Sequence, residues 1–383
     1  MQCISRGAGY SSTIDASSRA AACVRCIDCG VNTAWSGEDG ELSGRRVAWL
    51  DLARGLGVVL VVAGHGERGL VSAGIATGAG WRTFDLALYT FHMPLFMVLA
   101  GLNVPGSLRR GAGDFLRAKV STIAWPYVLW SLVQGVLMVR LSGMTNGHAD
   151  WSALVMIAWR PISPFWFLYA LMVYMTVIAL VGVRARVLIP LALAGMVASQ
   201  FLDGDQIAHQ VCYQAVFFVT GVLAADTIRG LRARTALLVL PAGIALWVIG
   251  CLVMPLSGEA PYLKPAALPA AIGGIAAMLA LSRLLAQTGA RALIVPLGTA
   301  SMTIYVMHIL GTAGARTALM HLHVPHWAGL YWIVCTMTGV VGPLLVHRLL
   351  ARFGLLPLFG LGPRTRRGPV RPPPVIAMAA LRG

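Results

Sequence analysis

Ten apolar stretches separated by short, mostly basic connections leave this chain few folds to choose from. They cover roughly 47–66, 84–104, 121–140, 165–183, 187–203, 209–226, 235–254, 266–285, 293–311 and 327–350. Most are about twenty residues long, enough for a helix to cross a hydrocarbon core of ~30 Å. Within such a core every backbone amide needs a partner inside the protein, which selects helices. Composition agrees: 57% of residues are hydrophobic and only 11% are charged, with a mean hydropathy of +0.75, far too apolar for a soluble domain of this length. The sequence predicts an all-α, polytopic membrane helical bundle of about ten transmembrane helices. The short piece 151–160 reads as an interfacial helix.

The net charge of +16 would suit a nucleic-acid binder, but its distribution points elsewhere. One alternating set of connections holds Arg45 and Arg46; Arg109, Arg110, Arg117 and Lys119; Arg184 and Arg186; Arg229, Arg232 and Arg234; Arg283 and Arg291; and Arg348, Arg352, Arg364, Arg366, Arg367 and Arg371. The other set holds Arg68, Arg82, Arg140, Arg160, Lys264 and Arg316. Because cytoplasmic loops collect Lys and Arg, both termini are expected in the cytoplasm. The expected partner is the lipid bilayer rather than nucleic acid, and the expected location is the cell's inner (plasma) membrane, with multiple passes.

Three regions follow. Residues 1–44 contain no spanning run and no signal-peptide core, and read as a disordered extension. Cys23, Cys26 and Cys29, with Cys3 upstream, have a spacing that thiolate ligands of zinc or iron–sulfur clusters use. No second ligand pair accompanies them, so no metal is expected. Residues 45–352 form the transmembrane domain and 353–383 a Pro/Arg-rich cytoplasmic tail.

The first apolar stretch also carries Asp51, Arg54 and His65. An ionisable group at mid-membrane costs on the order of 2.5–3.5 kcal/mol, so such groups usually face a polar interior. Arg54 and His65 are eleven residues apart, three helical turns, which puts them on one face ~16 Å apart. Asp51 and Arg54 stand at i, i+3 and can pair. With the first span running outward, Asp51 and Arg54 fall in its cytoplasmic half and His65 near its outer end. His92 on the second span and His308 on the ninth are expected at similar depth. Each also has a structural reading: His308 as an interfacial hydrogen-bonding residue, and His92 as a partner for carbonyls freed by Pro94. An imidazole with an ordinary pKa of ~6.5 is suited to taking a proton from a hydroxyl. His209, His321, His323, His326 and His347 lie at span ends or in loops and are assigned no chemistry.

Two motifs stand in tandem: Asp51-Leu52-Ala53-Arg54-Gly55 leading to Gly64-His65, and Phe91-His92-Met93-Pro94-Leu95-Phe96 leading to Gly101. They resemble the acyltransferase-3 family of integral membrane O-acyltransferases, especially its fucose 4-O-acetylase-like branch. Weaker similarities are Phe115 to Lys119 before Trp125-Pro126-Tyr127, Phe165-Trp166-Phe167-Leu168, and Ile304 to His308. The chain departs from the family at Ala100-Gly101, where Ser-Gly is usual, and at Arg117-Ala118-Lys119, an imperfect match to an Arg-rich loop. Its late spans lack the acidic residue that some relatives use, and no extracytoplasmic esterase-like domain is expected after the tenth span.

The resemblance implies transfer of an acyl group, most often acetyl from acetyl-CoA, to a hydroxyl of a glycan or of another extracytoplasmic or lipid-linked acceptor. It implies catalytic roles for His65 and His92, binding of the acyl-CoA donor by Arg54, Arg117 and Lys119, and structural or electrostatic roles for Asp51 and His308. The Arg54–His65 face would then carry the donor's thioester arm into the membrane. Alternatives at this stage are transfer of another acyl group such as succinyl, or a transporter or flippase, which also gathers rare charges inside a bundle. Trp166 and Tyr169 are placed either to stack on a sugar or to join an interfacial aromatic belt.

Overall fold

A computed structural model describes residues 47–140, 150–162, 164–202, 204–255 and 260–362. The N-terminal extension with its cysteine run and the tail beyond residue 362 lie outside the described residues. Among the described residues the regular elements are all helical: α1 (Ala48–Ser72), α2 (Ala79–Tyr89), α3 (His92–Gly101), α4 (Val104–Leu108), α5 (Ala112–Lys119), α6 (Trp125–Arg140), α7 (Ser152–Met156) and α8 (Trp166–Val181). They continue with α9 (Ala185–Ser199), α10 (Gln206–Leu223), α11 (Ala225–Arg229), α12 (Ala233–Val253), α13 (Leu268–Leu285), α14 (Arg291–Thr299), α15 (Ser301–His321) and α16 (Ala328–Arg352). Each of the ten apolar stretches contains a helix, and the exposed α7 falls within the expected interfacial piece. By length and apolarity six helices qualify as membrane spans, seven if the bent pair α14–α15 counts as one. The apolar helices α8 and α9, with 16 and 15 residues, are shorter.

The most apolar span is not the most central one. In α12 only 17% of the spanning window is buried within the protein, whereas in α1, which carries the ionisable motif, 67% is. Lipid tails are as apolar as a leucine side chain, so strongly hydrophobic helices gain little by leaving them. The segment 79–108, which bears His92, is buried further still, at 78%, so the spans carrying costly polar groups are the enclosed ones. α1 packs against α3, α13, α14, α15 and α16.

Glycines allow the closest of these approaches. A Cβ on Gly298 would lie 1.8 Å from the Asp51 carbonyl oxygen, and one on Gly55 would lie 2.6 Å from that of Ile294. The backbone of α14 therefore rests directly on the N-terminal half of α1. In the same way α3 and α10 touch through Gly101 and Gly221, where a Cβ on Gly221 would come within 2.2 Å of the Val98 carbonyl oxygen. The glycines of both motifs are thus packing surfaces.

Two breaks shape the interior. Pro94 has no N–H to give to the carbonyl four residues earlier, and the second span divides at Thr90–Phe91 into α2 and α3. The carbonyls exposed there are satisfied locally: Ala87 accepts from the Thr90 hydroxyl (2.7 Å) and from the Trp247 indole (3.1 Å). The second break lies at Ala300, where α14 and α15 meet at 82°. The expected ninth span, 293–311, is therefore bent. The straight segment is α15, which runs on to His321 and carries His308 in its first half. The fold also extends past residue 352, because the indoles of Trp125 and Trp130 donate to the carbonyls of Leu358 (2.8 Å) and Phe359 (3.2 Å).

Candidate functional site

The sequence places the end of the first span at residue 66, but α1 continues to Ser72. This adds Glu67 and Arg68 to the helix, with Arg68 at i+3 from His65 and so on the same face. Arg68 donates to both carboxylate oxygens of Asp85 on α2 (2.6 and 3.1 Å) and to the Tyr262 hydroxyl (3.1 Å). Its guanidinium also lies 3.2 Å from the centre of the Tyr89 ring, a cation–π arrangement. Tyr89 in turn meets His92 edge-on, with centroids 4.4 Å apart, and lies 6.5 Å from His65. The basic residue that sequence alone assigns to an outer loop is thus the anchor of an interior cluster.

The three expected histidines do converge. The rings of His65 and His308 are 4.9 Å apart, and His65 and His92 line the same cavity. His92 and His308 are fully buried. His92 Nδ1 lies 2.8 Å from the Leu88 carbonyl oxygen, and His308 Nδ1 lies 2.6 Å from that of Tyr305. A carbonyl can only accept, so each Nδ1 carries the proton and donates, and in the neutral ring Nε2 keeps its lone pair. Both Nε2 atoms are buried without a partner. The structural reading of His92 is therefore true of one nitrogen and leaves the other free for chemistry. His65 forms ring contacts with Tyr89 and His308 and makes no hydrogen bond among the described residues. Among those residues, no three His, Cys, Asp or Glu side chains stand close enough together to hold a metal ion.

The cavity has a volume of about 180 Å³. It is lined by His65, Arg68, Tyr89 and His92, by Gln206, Gln210 and Gln214 of α10, and by Trp166 and Tyr262. Trp166 is thus at the site. Tyr169 instead packs near Tyr127, their centroids 6.3 Å apart. The three glutamines were not singled out from the sequence, although their i, i+4, i+8 spacing is visible there as a stripe on one helical face.

The cytoplasmic candidates do not reach this cavity. Arg54 donates to Asp51 at 2.7 Å, with 21% of its side chain exposed. Between Arg54 and His65 the same face of α1 is occupied by Val58 and Val61, each 1% exposed. The expected open track along this face is therefore closed by packed valines. Arg117 is largely exposed beside Asp114 (3.7 Å), and Lys119 lies against the Phe115 ring (5.1 Å).

With two catalytic-type motifs meeting at one cavity, the comparison with known families is decisive. A family model described as an acyltransferase domain, that of the acyltransferase-3 family, matches residues 47–347. The chain belongs to this family. It accordingly carries an acyltransferase domain on a membrane-type helical bundle. The match identifies the family without selecting a branch within it. Among curated proteins, the chain is similar to nodulation protein NolL of Mesorhizobium japonicum, 27% identical over 186 residues, covering 46% of this chain and 48% of that protein. It is also similar to nodulation protein NolL of Sinorhizobium fredii, 28% identical over 130 residues, covering 32% of this chain and 33% of that protein. The chain thus spans about half or less of the length of these relatives. No solved structure matches the chain.

Proposed function

We propose that the cavity is where an acceptor hydroxyl meets the acyl group, and that the protein transfers acetyl from acetyl-CoA to a glycan or lipid-linked acceptor on the outer face of the inner membrane. The observation that carries this reading is that His65 and His92 line one cavity while the proton of His92 is committed to the Leu88 carbonyl. His65 acts as general base. It takes the hydroxyl proton as the acceptor oxygen attacks the thioester carbonyl carbon. The C–S bond then breaks, and the proton passes from the imidazolium to the departing thiolate. His92 Nε2 accepts a hydrogen bond from the acceptor and orients it. The Tyr89 hydroxyl, buried without a partner, is a donor for the oxygen that becomes negative in the transition state.

Arg54, Arg117 and Lys119 serve the donor at the cytoplasmic side in this reading, with Asp51 holding Arg54 in place and His308 packed against His65. Because Val58 and Val61 are packed between Arg54 and His65, donor entry requires this face of α1 to open. The test is transfer of label from radiolabelled acetyl-CoA into glycan and lipid fractions by the native chain and by His65→Ala at equal expression. Loss of a general base lowers transfer by about 10²–10⁴-fold. Full activity in a well-folded His65→Ala protein would remove His65 from the mechanism.

A further inference from the structure

The glutamine stripe on α10 is not used by the chemistry above. Gln206, Gln210 and Gln214 turn one edge of α10 into a row of amides lining the cavity. Gln214 is 2% exposed, and the Oε1 atoms of both Gln210 and Gln214 are buried without a partner. An unsatisfied buried polar atom costs about 1–3 kcal/mol, so two on one face of a cavity call for a ligand that supplies donors. Each amide can accept and donate, which matches a hydroxyl, itself both donor and acceptor. Trp166, an aromatic residue, also lines the cavity.

Charge narrows the ligand further. Among the described residues Arg68 is the one charged side chain lining the cavity, and Asp85 already holds it through two hydrogen bonds. No uncommitted cation therefore remains to recognise a carboxylate or phosphate. Size narrows it as well. A cavity of about 180 Å³ is smaller than the ~300–1,000 Å³ of sites that bury drug-sized ligands, so it admits one ring rather than an oligosaccharide.

We propose that Gln206, Gln210, Gln214 and Trp166 form an acceptor subsite that selects an uncharged, hydroxyl-rich ring, a neutral sugar at a chain end, over its acidic counterparts. This rests on the cavity being the acceptor site, and it adds which side chains read the acceptor and which sugars they refuse. The test is a binding measurement without acyl donor: equilibrium dialysis of the purified full chain against radiolabelled methyl glycosides, each neutral hexoside paired with its uronide. At least one neutral glycoside is expected to bind about tenfold more tightly than its uronide, and Gln210→Met and Gln214→Met are each expected to weaken it about tenfold, the equivalent of ~1.4 kcal/mol. Because methionine removes an unsatisfied buried amide at nearly constant volume, the same variants should keep or raise the thermal midpoint. The proposal is overturned if no neutral glycoside binds, if the uronides bind as well, or if both methionine variants bind like the native chain. Glutamine-dependent sugar binding without acyl transfer would instead leave the subsite standing and remove the transfer reading.

Discussion

Asp85→Ala tests the interior cluster most directly. In the native protein Asp85 accepts two hydrogen bonds from Arg68, which also touches the Tyr262 hydroxyl and the Tyr89 ring. Removing one partner of a fully buried ion pair costs about 3–5 kcal/mol, because the remaining charge is left uncompensated. Here the side chains are 37% and 25% exposed, so solvent screens part of the loss, and about 2 kcal/mol is expected. With an unfolding entropy of about 2.1 cal/mol/K per residue, a chain of 383 residues would lose roughly 2–3 °C in thermal midpoint. The functional loss should follow through Tyr89, whose ring sits between Arg68 and His92, with transfer reduced about tenfold for a misplacement of this kind. The readouts are size-exclusion profiles after heating and acetyl transfer by purified protein. The double variant Arg68→Met with Asp85→Leu replaces the pair by apolar groups and should recover most of the stability but not the activity. Native stability and activity in Asp85→Ala would refute the argument, as would recovery of both properties in the double variant.

His308→Phe keeps a ring beside His65 while removing a buried nitrogen that has no partner. Because the Nδ1 bond to the Tyr305 carbonyl is lost as well, the thermal midpoint should change little while acetyl transfer falls at least tenfold, and unchanged transfer would assign His308 to packing alone. Gly221→Ala forces a methyl group against the Val98 carbonyl. It should destabilise the α3–α10 contact by about 1–3 kcal/mol, read as a lower midpoint and a smaller monodisperse fraction, whereas Gly106→Ala, with open space around it, should have little effect.

Much of the site was legible one helix at a time. The Arg54–His65 spacing implied a shared face, and α1 is indeed one unbroken helix through both residues. Pro94 implied a break in the second span, and at that break His92 hydrogen-bonds the carbonyl of Leu88. Arg68 was misread because a charged residue near the expected end of a span looks like a loop residue, whereas the helix runs six residues further and Asp85 pairs with the charge. The glutamine stripe was readable as a period of four, but nothing in the sequence says which neighbour that face of α10 meets.

The sequence by itself determined the all-helical membrane class, the two motifs and the shared face of Arg54 and His65. These follow from local rules: apolar length against bilayer thickness, helical periodicity and the missing N–H of proline. Tertiary structure alone decided that α1 is enclosed while the more apolar α12 lies at the rim, that α14 turns by 82° to rest on Asp51, and that valines separate Arg54 from the cavity. The physical reason is that lipid and protein interior are equally apolar, so hydrophobicity cannot tell one from the other. What orders the helices is backbone contact at glycine and the need of a few polar groups to find one another across hundreds of residues of sequence.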